Sequence, residues 1–444
     1  MDFDSFFHPL SLSRKLSEQA ARLGRFEKTG RGTPFAGLFP GKTTYEQVLA
    51  LAADDPLRAH LLRWVHRLAE ARITFPLTAR LPWLLRGQTH PLRQPVFQKL
   101  CLDDMRRGCL RSEGEELCAW SRSYHEHADE LASVRVELWT TFQEISSQLG
   151  EPEPLRFWDP ISPGEEESVQ PQLELLAKHV LDCTDELAEH IFHPGWEPLL
   201  QALKAPGAGE GWPARLAPDT LRDLLPLGEL FSGVRLELGQ LPQRSCPMSF
   251  PRALAQVGRE LCWVLRPLSL PEVVARDPDD LLGHQCAFLF AQLSCTRSFQ
   301  MRMLGLSRSQ AELSRRHFVV GWLAHLRLSA AKALLHAAAF SGLQTLREAH
   351  ETLGEQLLRA AWPSQSVFAT CAPRRDEPSR LAASLSALDD LRRRTERHDE
   401  DWWRSPHAQE ELRAELSAPA ALTVGLSTCQ AGLDQLLKEA AQLI

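Results

Sequence analysis

Only two tyrosines, Tyr45 and Tyr124, occur in 444 residues, and valine and isoleucine are thin beside leucine, alanine, arginine and glutamate. Sheets are built from β-branched and aromatic residues, so this shortage argues against a sheet-based fold and for helices. The ten cysteines are spread singly and no CxxC occurs, which leaves no cysteine zinc knuckle and no redox pair. In a long chain of this kind they read as reduced, small apolar core residues. No run approaches the roughly 20 apolar residues that cross a bilayer. The start, MDFDSFFHPL, has neither the basic opening nor the apolar stretch of a secretory signal. A cytoplasmic location is therefore expected, with no membrane partner. Clustered positive charge is missing too. The formal net charge is -7, and the one dense basic run, LRRR at Leu391–Arg394, leads straight into ERHDEDWW. That run reads as a solvated helix face, and no nucleic-acid partner is expected.

What is present is helical periodicity. Leu51, Leu61, Leu62, Val65, Leu68 and Ile73 fall on one helical stripe, with Asp54, Asp55 and Pro56 as its start signal. Residues 113–149 read as a long acidic helical stretch that ends at Gly150. A second long helix is predicted over Glu165–Ile191, stopping before Pro194. APGAGEGWPAR marks a Gly/Pro linker at 205–216, separating an amino-terminal helical region, 1–204, from a carboxyl-terminal one, 217–444. GVRLELGQL, Gly233–Leu241, alternates apolar and polar residues as a short strand would. The expected fold is mostly α with a small β or irregular insertion.

Few motifs carry chemistry. GLFPGKTT, Gly37–Thr44, has three residues between Gly37 and Gly41 where a phosphate loop needs four. It reads as a turn, with Thr43 or Thr44 capping the next helix ahead of Gln47. His190 and His193 could share a metal, but a helix carboxyl end favours histidine for its charge alone. His125 and His127 point to different helix faces. No two of the 16 histidines stand four apart, so HExxH occurs nowhere, and no GxSxG is present.

FPRALAQVGRELCWVL, Phe250–Leu265, is an amphipathic helix with Leu254, Val257, Leu261, Val264 and Leu265 on one stripe. Downstream come AFLFAQL (Ala287–Leu293), MLGL (Met303–Leu306) and HLRLSAAKALLHAAA (His325–Ala339). DEDWWRSPHAQEELRAEL (Asp399–Leu416) and the tail CQAGLDQLLKEAAQLI follow. In this order and spacing, residues 225–444 resemble the oligopeptidase family of zinc metallopeptidases that includes thimet oligopeptidase and oligoendopeptidase F.

The resemblance implies a large, two-lobed, helical zincin-like oligopeptidase fold, and it makes 217–444 the degenerate peptidase-like region. The family's zinc helix reads HExGH-like. Laid on it, AQVGR keeps Gly258 in register and puts Ala255 for the first His, Gln256 for the catalytic Glu and Arg259 for the second His. His284, 25 residues after Arg259, takes the place of the later Glu ligand. Zinc needs about three lone-pair donors. Ala255 offers none, Arg259 is a permanent cation, and Gln256 cannot act as a general base. The family's late Tyr or His is missing as well, since both tyrosines are early. The expectation is a catalytically inactive, peptidase-like protein with its zinc site lost and no cofactor. It would act by binding a peptide or a protein partner, including an active paralogous peptidase, through Arg259 and His284. Two alternatives stay open. One is an active metallopeptidase with displaced ligands drawn from His284, His317, His325 and His336. The other is a purely structural or regulatory helical subunit.

Overall fold

The computed structural model describes residues 16–23, 42–52, 55, 57–85, 88–89, 99–100, 115–122, 132–149, 170–191, 194, 249–267, 272–275, 278–360, 362, 367, 377–418 and 426–443. Helix dominates them. In chain order the helices are α1 (Lys42–Leu49), α2 (Arg58–Leu85), α3 (Ala132–Leu149), α4 (Gln170–Cys183) and α5 (Asp185–Ile191). Then come α6 (Ser249–Val264), a single turn at Glu272–Ala275, α7 (Leu281–Leu293), α8 (Arg297–Met303), α9 (Arg308–Ser341) and α10 (Leu343–Leu358). A last group holds α11 (Glu377–His398), a 3-10 turn (Trp402–Arg404), α12 (Pro406–Ser417) and α13 (Leu426–Leu443). Gln88–Thr89 and Lys99–Leu100 form a two-residue antiparallel pair. The strand expected at 233–241, the linker at 205–216, the Gly37–Gly41 turn, and His125, His127 and His193 lie outside the described residues.

Local chemistry sets several boundaries. Ser307 accepts from the Gln310 backbone N–H while the Gln310 side chain accepts from the Ser307 N–H, a reciprocal cap that starts the 34-residue α9. Ser405 accepts from the Ala408 N–H, and Pro406 fills the first turn of α12, where no N–H is needed. Other expectations need correcting. Lys42 already begins α1, so Thr43 and Thr44 lie inside its first turn rather than capping it. The single helix expected over 165–191 is two, broken at Thr184.

At the break the Thr184 hydroxyl donates to the Val180 carbonyl at 2.6 Å, and a residue far along the chain joins it. Arg327 on α9 is 1% exposed. It donates to the Leu181 carbonyl at 3.1 Å, to Thr184 Oγ1 at 2.9 Å, to Asp185 Oδ1 at 3.0 Å and to the Gln356 carbonyl at 2.7 Å. One guanidinium thus ties the α4–α5 junction to α9 and α10. Burial pushes its pKa down from the ordinary arginine range, opposed by the hydrogen bond and charge of Asp185.

Three apolar cores hold the helices together. One joins Trp139 of α3 and the inner face of α4 to α9, α10, α11 and α13, so residues on both sides of the 205–216 segment share it. A second joins α6, α7, α8, α12, Trp402 and Trp403. A third joins 16–23, α1, α2 and α3. The paired tryptophans are fully buried, with Trp403 edge-on to Phe299 at 5.2 Å and the Arg394 guanidinium 5.5 Å from the Trp402 ring. Here the solvated-face reading of Leu391–Arg394 fails in part. Arg393 is exposed, but Arg394 is buried between Trp402, Asp390 and Glu415. Among the described residues one helix, α9, is long and apolar enough to cross a membrane by length and composition alone. It is mostly buried by its neighbours, which accounts for its composition.

Candidate functional site

α6 and α7 pack backbone to backbone. A Cβ added at Gly258 would lie 2.4 Å from the Cys286 carbonyl oxygen and 2.9 Å from Phe290 Cδ2, so only glycine permits this approach. Leu254, Val257 and Leu261 face Leu289 and Phe290 in the core beneath. Val264, expected on that stripe, is 40% exposed at the helix end, and buried Cys262 takes its share of the packing. Cys262 and Cys286 face each other across the seam. Their mutual hydrogen bond, then burial, pushes the Cys286 thiol well up, so it stays protonated.

The positions singled out by the sequence gather on this helix pair. Ala255 and Gln256 are half-buried, and Arg259 is exposed. His284 is buried in the first turn of α7, and its N–H donates to the Asp280 carbonyl at 2.8 Å. Arg259 Nε donates to Asp280 Oδ2 at 2.6 Å, and its guanidinium lies 5.6 Å from the Trp263 ring. Trp263 Nε1 donates to Asp280 Oδ1 at 2.9 Å, and Arg266 stands 3.9 Å away on the same oxygen.

Asp280 is the residue that sequence reasoning missed. It occupies the N-cap of α7 in a left-handed conformation, φ 49°, yet its side chain caps nothing. Its carboxylate turns to α6 instead, and Gly283 leaves room for it, since a Cβ there would fall 2.2 Å from Asp280 Oδ1. Neighbouring Asp279 faces the other way, to Arg63 of α2 at 2.9 Å in a buried ion pair. The signal was the doubled aspartate one turn before His284, but nothing local says which acid meets which arginine.

A divalent metal does not fit these residues. The two positions to which the sequence resemblance assigns imidazoles, 255 and 259, hold a methyl group and a guanidinium, and the guanidinium is already committed to Asp280. Elsewhere on α7 and α9 the histidines scatter. His325 packs on Phe288 and Trp322, His336 packs on Trp139 and Phe340, and His317 is exposed. Among the described residues no three His, Cys, Asp or Glu side chains are grouped to hold a metal ion. His190 caps its own helix, with Nδ1 at 2.8 Å from the Glu186 carbonyl.

No protein-family model matches the sequence, and no curated protein matches it either. Solved structures do. A protein provisionally assigned as an oligoendopeptidase F from Bacillus anthracis is 9% identical, with a TM-score of 0.58 over 90% of this chain and 82% of that one. A provisionally assigned peptidase from Chlamydophila abortus is 10% identical, with a TM-score of 0.59 over 99% of this chain and 89% of that one. PZ peptidase A, solved with an inhibitor, is 10% identical, with a TM-score of 0.56 over 90% and 84%. At such identity the likeness carries the fold alone. That fold is mostly α and peptidase-like, of the oligoendopeptidase F type.

Proposed function

We propose that this chain is a catalytically inactive relative of the helical oligopeptidases that acts by binding a peptide or protein segment. The observation that supports this reading is the Arg259–Asp280 pair, which joins α6 and α7 where a peptidase of this fold would join them through a metal. Ala255 has no lone pair for a metal and Gln256 no basic carboxylate, so neither can help to activate water. The face offers instead a half-exposed guanidinium whose Nε is held by Asp280. Such a group suits a peptide carboxylate or carbonyl.

The test is to measure zinc content and cleavage of internally quenched peptides for the purified full chain and for a rebuilt variant. That variant carries Ala255→His, Gln256→Glu, Arg259→His and His284→Glu. The native chain is expected to carry no stoichiometric zinc and to cleave nothing, and the rebuilt one to gain about one zinc per chain. A zinc held by the native chain together with peptide cleavage would overturn the proposal. Peptide binding left unchanged by Arg259→Ala would remove Arg259 from the binding face.

A further inference from the structure

At the far end of α7 from His284, a cavity of about 340 Å³ opens between α7, α9, α11 and α13. Gln292, which lines it, lies eight residues beyond His284, roughly 12 Å along the helix axis. Gln292 is 2% exposed, and neither its amide oxygen nor its amide nitrogen has a hydrogen-bond partner. Trp322, in the same wall and 8% exposed, likewise has an indole N–H without an acceptor. Buried polar groups in folded proteins are almost always paired, so two such groups on one cavity call for an explanation. An amide presents an acceptor and two donors, the complement of a peptide group.

The charges around the cavity are sorted. Arg392 is spent on Asp389 and Glu396. Arg297 and Arg315 also line the cavity, and neither has an ion-pair partner among the described residues. Glu400 and Glu439 supply negative charge, and Glu439 Oε1 accepts from Gln435 Nε2 at 3.0 Å. Phe318 stacks on Trp322 at 5.6 Å and makes an apolar wall beside the amide. A cavity of this volume is at the small end of ligand sites, with room for something between an amino acid and a dipeptide.

We propose that this cavity binds a zwitterionic ligand of dipeptide size. Its carboxylate goes to Arg297 and Arg315, its amide to Gln292, its ammonium toward Glu439 and an apolar side chain against Phe318 and Trp322. The site is separate from the Arg259–Asp280 face and does not depend on what that face binds.

The experiment is calorimetric titration of the full chain with glycyl-phenylalanine, its carboxyl-terminal amide and its N-acetyl derivative. The free dipeptide is expected to bind. Amidation should weaken it by about tenfold or more, because a charge-assisted contact is lost, and acetylation should weaken it as well. Gln292→Leu keeps the volume and removes the amide. It should weaken binding by about tenfold while helix content by circular dichroism stays unchanged. Should that variant fail to fold, Arg297→Gln with Arg315→Gln, on half-exposed positions, should show the same loss. No binding of the free dipeptide, equal binding of its amide, or undiminished binding by Gln292→Leu or by the arginine pair would each overturn the proposal.

Discussion

Gly258→Ala decides whether α6 and α7 are held by backbone contact. On an open helix face the change would stabilise, since alanine is favoured over glycine in a helix interior by about 0.8–1 kcal/mol. Here the new methyl would fall 2.4 Å from the Cys286 carbonyl oxygen and 2.9 Å from Phe290 Cδ2. Comfortable heavy-atom contacts begin near 3.5 Å, so the helices must part by roughly 1 Å. The carbonyl is fixed in the α7 backbone and cannot rotate aside. Parting the helices also loosens Leu254, Val257 and Leu261 against Leu289 and Phe290, all of them buried. Overpacking costs about 1–3 kcal/mol, and a backbone obstacle belongs at the upper end, which leaves a net loss of about 2 kcal/mol after the propensity gain. A chain with three apolar cores need not unfold in one step, so the reading should be local. Hydrogen exchange over 250–265 and 281–293 is expected to speed up by about thirtyfold, the equivalent of 2 kcal/mol. Gly432→Ala should do the same to α11 and α13, because its Cβ would lie 2.0 Å from the Leu385 carbonyl oxygen. Exchange that slows, or does not change, in the Gly258→Ala protein would refute the close-packed seam.

Two further outcomes follow from buried and paired charges. Arg327→Leu removes four hydrogen bonds and takes the charged donor from the Gln356 carbonyl and Thr184 Oγ1, while the Leu181 carbonyl keeps the Thr184 hydroxyl at 3.2 Å. Asp185 is 56% exposed and stays solvated when its partner goes, so chemical denaturation should show the loss of charged hydrogen bonds only, about 2–3 kcal/mol, with little recovery in Arg327→Lys, whose point charge cannot reach a fork of acceptors; a loss below about 1 kcal/mol would sink this reading. For Glu411, the hydrogen bond from His398, with the charges of Arg397, His398 and His407, holds the carboxyl below the ordinary carboxylate range. A carboxyl depressed in the folded state stabilises above its unfolded pKa, about 4.3, and that contribution is lost as pH falls through the lower folded value. Thermal melts of Glu411→Gln should therefore show a shallower acid limb than the native chain, and parallel curves would count against the pairing.

How far the sequence could be read depended on the range of the interaction. The stripe Leu254, Val257, Leu261 follows from a period of 3.6, and all three are buried. The tryptophan pair, too apolar to leave in water, was visible as a mark and is sealed in the second core. Errors arose where the deciding partner is remote. Thr184, whose hydroxyl turns back on the Val180 carbonyl, is only a weak local hint of a helix break, and the guanidinium that joins it there comes from Arg327, 143 residues on. Likewise, Arg394 reads as one of three like arginines until Trp402 and Glu415 fold over it. Arg259 needed Asp280, 21 residues on, whose left-handed backbone periodicity does not encode.

One physical point connects the seam with the altered positions. α6 and α7 are closed by apolar burial and by the passage of Gly258 over the Cys286 carbonyl. Neither contact uses the side chains at 255, 256 or 259, which form a half-buried to exposed face. Chemistry on that face can therefore change without opening the helix pair. The Arg259–Asp280 pair then adds little by itself, since its arginine is 47% exposed and screened by water. Asp280 matters more for direction than for energy. By taking both Arg259 and Trp263 it fixes where the guanidinium sits, and a fixed, half-exposed cation beside an indole is a better recognition element than a free one.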